Sequence, residues 1–326
     1  MNTIRPLLAT FLAFVIPAHT VADLSGKEAA LHAEGKVLDQ VNSARYCAAD
    51  PGIYEESFEF AGFQREYILY RPGNLTKQAP LVFLLHGYTG TAAEAIESYG
   101  MNAIADANGF AVVYPQGLKF GELEQRTVKN DSGESVDISG PTLWNAYPSM
   151  GLELDDAGFL AGLAKHLQKK CDLDAKRTFI SGHSAGGAMS YTAACEQSEV
   201  FKAAASVAGG MSENDSCNPS RPLPVLHVHG AADDVVPLTS ATDPASSKAS
   251  HSINDVVLFW AGINQYETLE EGFLPPKTKT YRYKNSFNAN EVWYYEIADW
   301  GHWWPRTSHG VGIETGQVIG EFFSQY

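Results

Sequence analysis

The sequence is short of basic residues, of cysteine and of long apolar runs. Lys and Arg number 23 against 38 Asp and Glu, a net charge of −15 over 326 residues. A chain this acidic is repelled by phosphate backbones and by anionic lipid, so nucleic acid and membrane surfaces are not expected as partners. Four cysteines are too few to build a disulfide scaffold in a chain of this length. The fold must therefore rest on an apolar core, and 44% hydrophobic residues can supply one. No apolar run reaches the roughly 20 residues that a helix needs to cross about 30 Å of hydrocarbon. There is no internal repeat and no low-complexity linker, so one domain is expected despite the length.

One short apolar run, Leu7 to Ile16, follows a positive charge at Arg5 and precedes Thr20-Val21-Ala22, with small residues where a cleavage site needs them. Residues 1–22 thus read as a signal peptide cut after Ala22, residues 23–50 as an N-terminal extension and 51–326 as the main domain. Export to the cell exterior or periplasm makes Cys47, Cys171, Cys195 and Cys217 disulfide candidates. Three pairings are open. Cys195 with Cys217 is favoured because they bracket one compact helix–strand unit, and Cys47 with Cys171 follows by elimination. Asn74-Leu75-Thr76, Asn130-Asp131-Ser132 and Asn214-Asp215-Ser216 are glycosylation triplets only in a host that glycosylates.

Phe58 to Phe60 and Arg65 to Arg71 alternate at period two and predict antiparallel strands around a turn. Pro80 to Leu85 and Phe110 to Tyr114 are continuous apolar runs, the pattern of strands buried on both faces, with a helix over Ala92 to Ala107 between them. A polar stretch from Lys119 to Thr142 reads as a surface loop. The helix from Asp155 to Lys170 has acids in its first turn and bases in its last, as its dipole favours. Further strands are predicted at Ala203 to Val207, Val225 to Val228 and Val292 to Ile297, with helices over Ile253 to Ala261 and Glu314 to Phe323. This alternation predicts an α/β fold with a mostly parallel sheet covered on both faces.

Thr178-Phe179-Ile180-Ser181-Gly182-His183-Ser184-Ala185-Gly186-Gly187 is an apolar strand entering a tight turn, and a small-residue helix follows. Glycines flanking a serine there remove the Cβ atoms that would clash where strand and helix nearly touch, and leave the hydroxyl exposed. A serine hydroxyl is a poor nucleophile without a base and a group to orient that base. Asp233, after the strand ending at Val228, and His302, after the strand ending at Ile297, stand in the required chain order. Asp234 and Asp299 are rivals for the acid, and His309 for the base. His227 and His229, two apart on a strand, read as structural histidines or as a metal pair; no third ligand cluster accompanies them, and no metal is assigned.

Taken together, His86-Gly87, Tyr114-Pro115-Gln116-Gly117, Trp144-Asn145-Ala146, Asp155-Asp156, Gly182-x-Ser184-x-Gly186-Gly187, His229-Gly230-x-x-Asp233-x-x-Val236-Pro237 and Gly301-His302-x-Trp304-Pro305 carry a resemblance. From about Phe58 to the C-terminus the chain resembles the α/β-hydrolase esterases grouped around polyhydroxybutyrate depolymerases and the related feruloyl and acetylxylan esterases. The resemblance implies Ser184 as nucleophile, Asp233 as acid, His302 as base, and the backbone amides of Tyr88 and Ala185 as the oxyanion hole, with no cofactor. It also implies a monomer acting on a small or polymer-attached ester. Trp144, Trp300, Trp303 and Trp304 are expected to form an aromatic rim for the acyl group. Trp300, where the family often has a second glycine before Gly301-His302, and Tyr88-Thr89-Gly90, where depolymerases often carry cysteine, depart from the pattern and bear on the acyl pocket rather than the triad; a feruloyl or similar carbohydrate esterase is expected ahead of a polyhydroxyalkanoate depolymerase. A serine peptidase of the same fold and a non-catalytic binding protein are the readings from other classes.

Overall fold

The structure is a computed structural model, and it describes residues 47, 50–119, 141–147, 154–212, 216–239, 241–243 and 248–326. The expected signal peptide, nearly all of the N-terminal extension and most of the polar stretch between Lys119 and Thr142 lie outside the described residues.

The chain opens with a hairpin, β1 (Gly52–Phe60) and β2 (Phe63–Arg71), both longer than the sequence pattern marks. The turn between them is only Ala61-Gly62, each at positive φ, which suits the twist of a two-residue hairpin loop. Then come β3 (Leu81–Leu85), α1 (Ala92–Tyr99), α2 (Met101–Asn108), β4 (Ala111–Pro115) and the short β5 (Leu118–Lys119) and β6 (Thr142–Leu143). Next are α3 (Asp156–Cys171), β7 (Thr178–His183), α4 (Ala185–Glu196), β8 (Ala204–Val207) and β9 (Val225–Gly230). The C-terminal part holds β10 (Ala241–Asp243), β11 (Lys248–Ser250), α5 (Ile253–Ile263), β12 (Thr268–Leu274), β13 (Thr278–Lys284), β14 (Val292–Ile297) and α6 (Thr315–Phe323).

Ten strands form one sheet in the order β1-β2-β4-β3-β7-β8-β9-β14-β13-β12. The stretch from β4 through β14 is parallel, and both flanks are antiparallel. Burial on both faces is visible residue by residue in β3. Leu81, Phe83 and Leu85 belong to the core under α3, α4 and α5, while Val82 and Leu84 belong to the core under α1, α2 and α6.

One local expectation is corrected, and two features go beyond the sequence pattern. The single helix over Ala92 to Ala107 is two helices, because Gly100 takes φ 69° and turns the chain after a Thr91–Glu94 capping box has started α1. Asp156 stands in the first turn of α3 as expected, and it does more than complement the dipole. It is buried, pairs with Arg65 at 2.7 Å and accepts the Asn145 amide at 2.7 Å. The hairpin β12–β13 has no counterpart among the predicted strands; all seven residues of β12 are exposed, so neither face carries an apolar signature. Both expected disulfides are present, Cys47–Cys171 and Cys195–Cys217. The second ties the end of α4 to the segment before β9, across 22 residues.

Candidate active site

Ser184 sits between β7 and α4 at φ 56°, ψ −119°, a conformation that side-chain-bearing residues rarely hold. The turn is fixed by its amide, which donates to the Val207 carbonyl at 2.8 Å. It is also fixed by space. A Cβ on Gly182 would lie 2.4 Å from the Gly186 backbone, and one on Gly186 would lie 2.4 Å from the Leu85 carbonyl oxygen. The two glycines therefore let strand and helix close around the serine.

Asp233 and His302 reach the serine from the ends of β9 and β14. His302 Nε2 is 2.7 Å from Ser184 Oγ, and His302 Nδ1 is 2.8 Å from Asp233 Oδ2. The other carboxylate oxygen, Oδ1, accepts the amides of Val235 at 2.9 Å and Val236 at 2.8 Å. Burial opposes the charge on Asp233, but the His302 bond and the two amides outweigh it and hold its carboxyl below the usual carboxylate range. The rivals lie elsewhere: Asp234 is exposed, Asp299 is 3.5 Å from Lys277 Nζ, and His309 stacks on Trp300 with centroids 5.0 Å apart.

Two histidines that the sequence reading left without a role brace this arrangement. His183, the residue before the serine, bonds through Nε2 to the carbonyl oxygen of His302 at 2.9 Å. A carbonyl only accepts, so Nε2 donates and the backbone of His302 is tied to the serine turn. Burial and the neighbouring His302 push the His183 imidazole down to about 4. His86 donates from Nδ1 to the Gly87 carbonyl at 2.7 Å and accepts the Gly117 amide on Nε2 at 2.9 Å. Burial pushes this ring down to about 4 as well, so it stays neutral and fixes the turn at Gly87-Tyr88. A Cβ on Gly87 would lie 3.4 Å from Ser184 Cβ, so that turn runs against the serine.

The tryptophans part company. Trp144 is buried; its indole donates to the His86 carbonyl at 3.0 Å and its ring packs on His86. Trp304 is buried and stacks on Tyr99 with centroids 4.3 Å apart. Both are corrections to the expected rim, and the reason is the usual one: a large flat ring gains more from packing than from exposure. Trp300 is half-buried and donates to the Trp303 carbonyl at 2.8 Å. Trp303, next to His302 in the chain, is 74% exposed.

A serine on a strand–turn–helix elbow, with an acid and a histidine arriving from later parallel strands, is the layout of one fold. This is the α/β-hydrolase fold. An acetyl xylan esterase structure from Aspergillus awamori superposes with a TM-score of 0.59 at 17% identity, over 84% of this chain and all of that one. At that identity the likeness speaks for the α/β-hydrolase fold alone. The prolyl oligopeptidase family model matches residues 155–215, the stretch that carries the elbow. Among curated relatives, NocK of Nocardia uniformis subsp. tsuyamanensis, named as an esterase, is 32% identical over 58% of this chain and 51% of its own. Feruloyl esterase B of Piromyces equi is 30% identical over 53% of this chain and 30% of its own. The chain thus spans about half the length of the first of these and less than a third of the second.

Proposed function

We propose that the chain is a secreted serine carboxylic-ester hydrolase of the feruloyl or carbohydrate esterase type, with residues 51–326 as a monomeric catalytic domain. The observation that carries this reading is the unbroken line from Asp233 through His302 to Ser184, with both hydrogen bonds under 3 Å. Asp233 holds Nδ1–H of the imidazole, which leaves the Nε2 lone pair facing the serine hydroxyl. His302 Nε2 takes the Ser184 proton as Oγ bonds to the ester carbonyl carbon, and the negative charge moves to the carbonyl oxygen. The amides of Tyr88 and Ala185 receive that oxyanion; Ala185 opens α4, where the first amides have no partner within the helix. Collapse breaks the bond to the alcohol oxygen, which leaves with the proton from Nε2. Water then repeats the sequence on the acyl-serine and releases the acid. Trp303, exposed beside the base, is the aromatic surface available to a phenolic acyl group or a sugar ring.

The test is release of free acid from methyl ferulate and from a 3-hydroxybutyrate oligomer, with Ser184→Ala as the blank. Ferulate release that disappears in the variant is the expected result. Oligomer cleavage alone would move the assignment to the depolymerase alternative, and a Ser184→Ala protein as active as the parent would refute the serine mechanism. An aminoacyl anilide belongs in the same panel, because the prolyl oligopeptidase model matches the elbow; turnover of the anilide alone would favour a peptidase.

A further inference from the structure

Behind the acid, on the face of the sheet covered by α4 and α5, lies a row of buried polar side chains that the proposed mechanism does not use. Tyr191 OH is 2.5 Å from His227 Nδ1, His227 Nε2 is 3.0 Å from His229 Nδ1, and His229 Nε2 is 2.8 Å from the Val236 carbonyl oxygen. The same His229 Nε2 is 3.4 Å from Asp233 Oδ2. Alternation along β9 puts His227 and His229 on one face, and all three side chains are essentially inaccessible to solvent.

The direction of every bond in this row follows from its last acceptor. A carbonyl oxygen cannot donate, so His229 Nε2 carries the hydrogen that points at Val236 and toward Asp233. In the neutral ring Nδ1 must then accept, so His227 Nε2 donates to it. His227 Nδ1 in turn accepts, and the Tyr191 hydroxyl is its donor. A proton added anywhere in the row would set two donors face to face. Burial lowers the pKa of both histidines, in keeping with two neutral rings. Packing holds the rings in line: Tyr191 stacks on Trp260, His227 lies against Tyr294, and the two imidazoles stack with centroids 5.1 Å apart.

We infer that Tyr191, His227 and His229 are positioning residues for the acid of the site, forming a one-way chain of hydrogen bonds that starts on α4 and ends on the loop holding the Asp233 carboxylate. This rests on the serine-hydrolase reading given above. Aligned donors polarise one another, and their positive end falls beside Oδ2, the oxygen that faces His302. The carbonyl they grip belongs to Val236, whose amide binds the other oxygen, Oδ1. The chain therefore fixes the acid from both sides: it steadies the loop that clamps Oδ1 and places an N–H near Oδ2. The row reaches no substrate; its effect passes through Asp233 to His302.

The test uses the full-length protein and turnover of p-nitrophenyl acetate, normalised to sites titrated with a serine-directed sulfonyl fluoride. The parent must turn over and Ser184→Ala must not; failure of either overturns the esterase reading itself, independently of this inference. Tyr191→Phe keeps the ring and removes the first donor. It is expected to lower kcat roughly three- to thirtyfold with KM changed by less than about twofold, a smaller loss than removal of the acid itself. The low-field proton resonance of the Asp233–His302 hydrogen bond should move or broaden in the same variant. His229→Gln, which still offers a donor to the Val236 carbonyl, should retain most of the activity that His229→Leu loses. A Tyr191→Phe protein with parental kcat and an unmoved resonance would overturn the inference. So would equal activity per titrated site in the Gln and Leu variants, since a merely structural role changes the number of folded sites and not their turnover.

Discussion

Asp233→Asn changes one atom of the candidate site, and the surrounding hydrogen bonds decide its consequence. The asparagine amide can sit in two orientations. With its oxygen at the Oδ1 position it still accepts the amides of Val235 and Val236. Turned over, its NH2 group would face those two N–H groups and leave two partly buried donors without their acceptor, at up to about 1–3 kcal/mol each. The first orientation wins, and it puts the NH2 group 2.8 Å from His302 Nδ1. Nδ1 must then accept, so the ring hydrogen moves to Nε2, 2.7 Å from Ser184 Oγ, where a lone pair is needed. The base is present, in place and in the wrong tautomer. Turnover of p-nitrophenyl acetate should fall by about 10³- to 10⁴-fold with little change in KM. That corresponds to about 4 to 5.5 kcal/mol of lost transition-state stabilisation. A variant that keeps kcat within about tenfold of the parent would refute the tautomer argument, and with it the assignment of Asp233 as the acid.

Three further outcomes follow from the same geometry. His86 and His183 stay neutral when folded down to about pH 4, whereas an unfolded chain binds protons on them below about 6.5. The unfolded state therefore takes up more protons in that window, and stability that is complete above pH 6.5 is lost as pH falls toward 4, by roughly 3 kcal/mol per ring; a melting temperature at pH 4.5 equal to that at pH 7.5 would contradict it. Gly186→Ala would place a Cβ 2.4 Å from the Leu85 carbonyl and 2.5 Å from that of His86, so thermal melting should show a loss of about 3 kcal/mol or more, or no folded protein. Trp303→Ala should leave the melting temperature unchanged while raising KM for aromatic esters, whereas Trp304→Ala, which removes a ring stacked on Tyr99, should cost about 3–5 kcal/mol of stability.

What could be read from the sequence, and what could not, divides along physical lines. The buried parallel strands were legible because burial on both faces writes an unbroken apolar run, as at Leu81–Leu85 and Ala111–Tyr114. The elbow was legible because Gly182 and Gly186 stand where no side chain fits. Asp233 and His302 were legible by their order after successive strands, and the structure brings both to Ser184. The hairpin β12–β13 was not, since a strand exposed on both faces has no reason to alternate. Nor was the fate of the tryptophans: Trp303 and Trp304 are neighbours in the chain, one 74% and the other 7% exposed, and nothing in a residue type says which way its ring turns. His183 and the His227–His229 row showed as histidines near motifs; their partners, a carbonyl 119 residues away and a tyrosine on another element, exist only in three dimensions.

The exposed strand β12 closes one end of the sheet, and among the described residues no strand pairs with its outer edge. Such an edge can template growth of the sheet from one molecule to the next. The middle residue of Thr268–Leu274 is Glu271, with Glu270 beside it. If two copies docked edge to edge about a twofold axis through the strand centre, each Glu271 would face its own image, and like charges directly opposite repel. Self-association by this route is thereby opposed at neutral pH by one carboxylate. Salt screens the repulsion between exposed charges and weakens that guard, so concentrated stocks of the protein are better kept at low ionic strength.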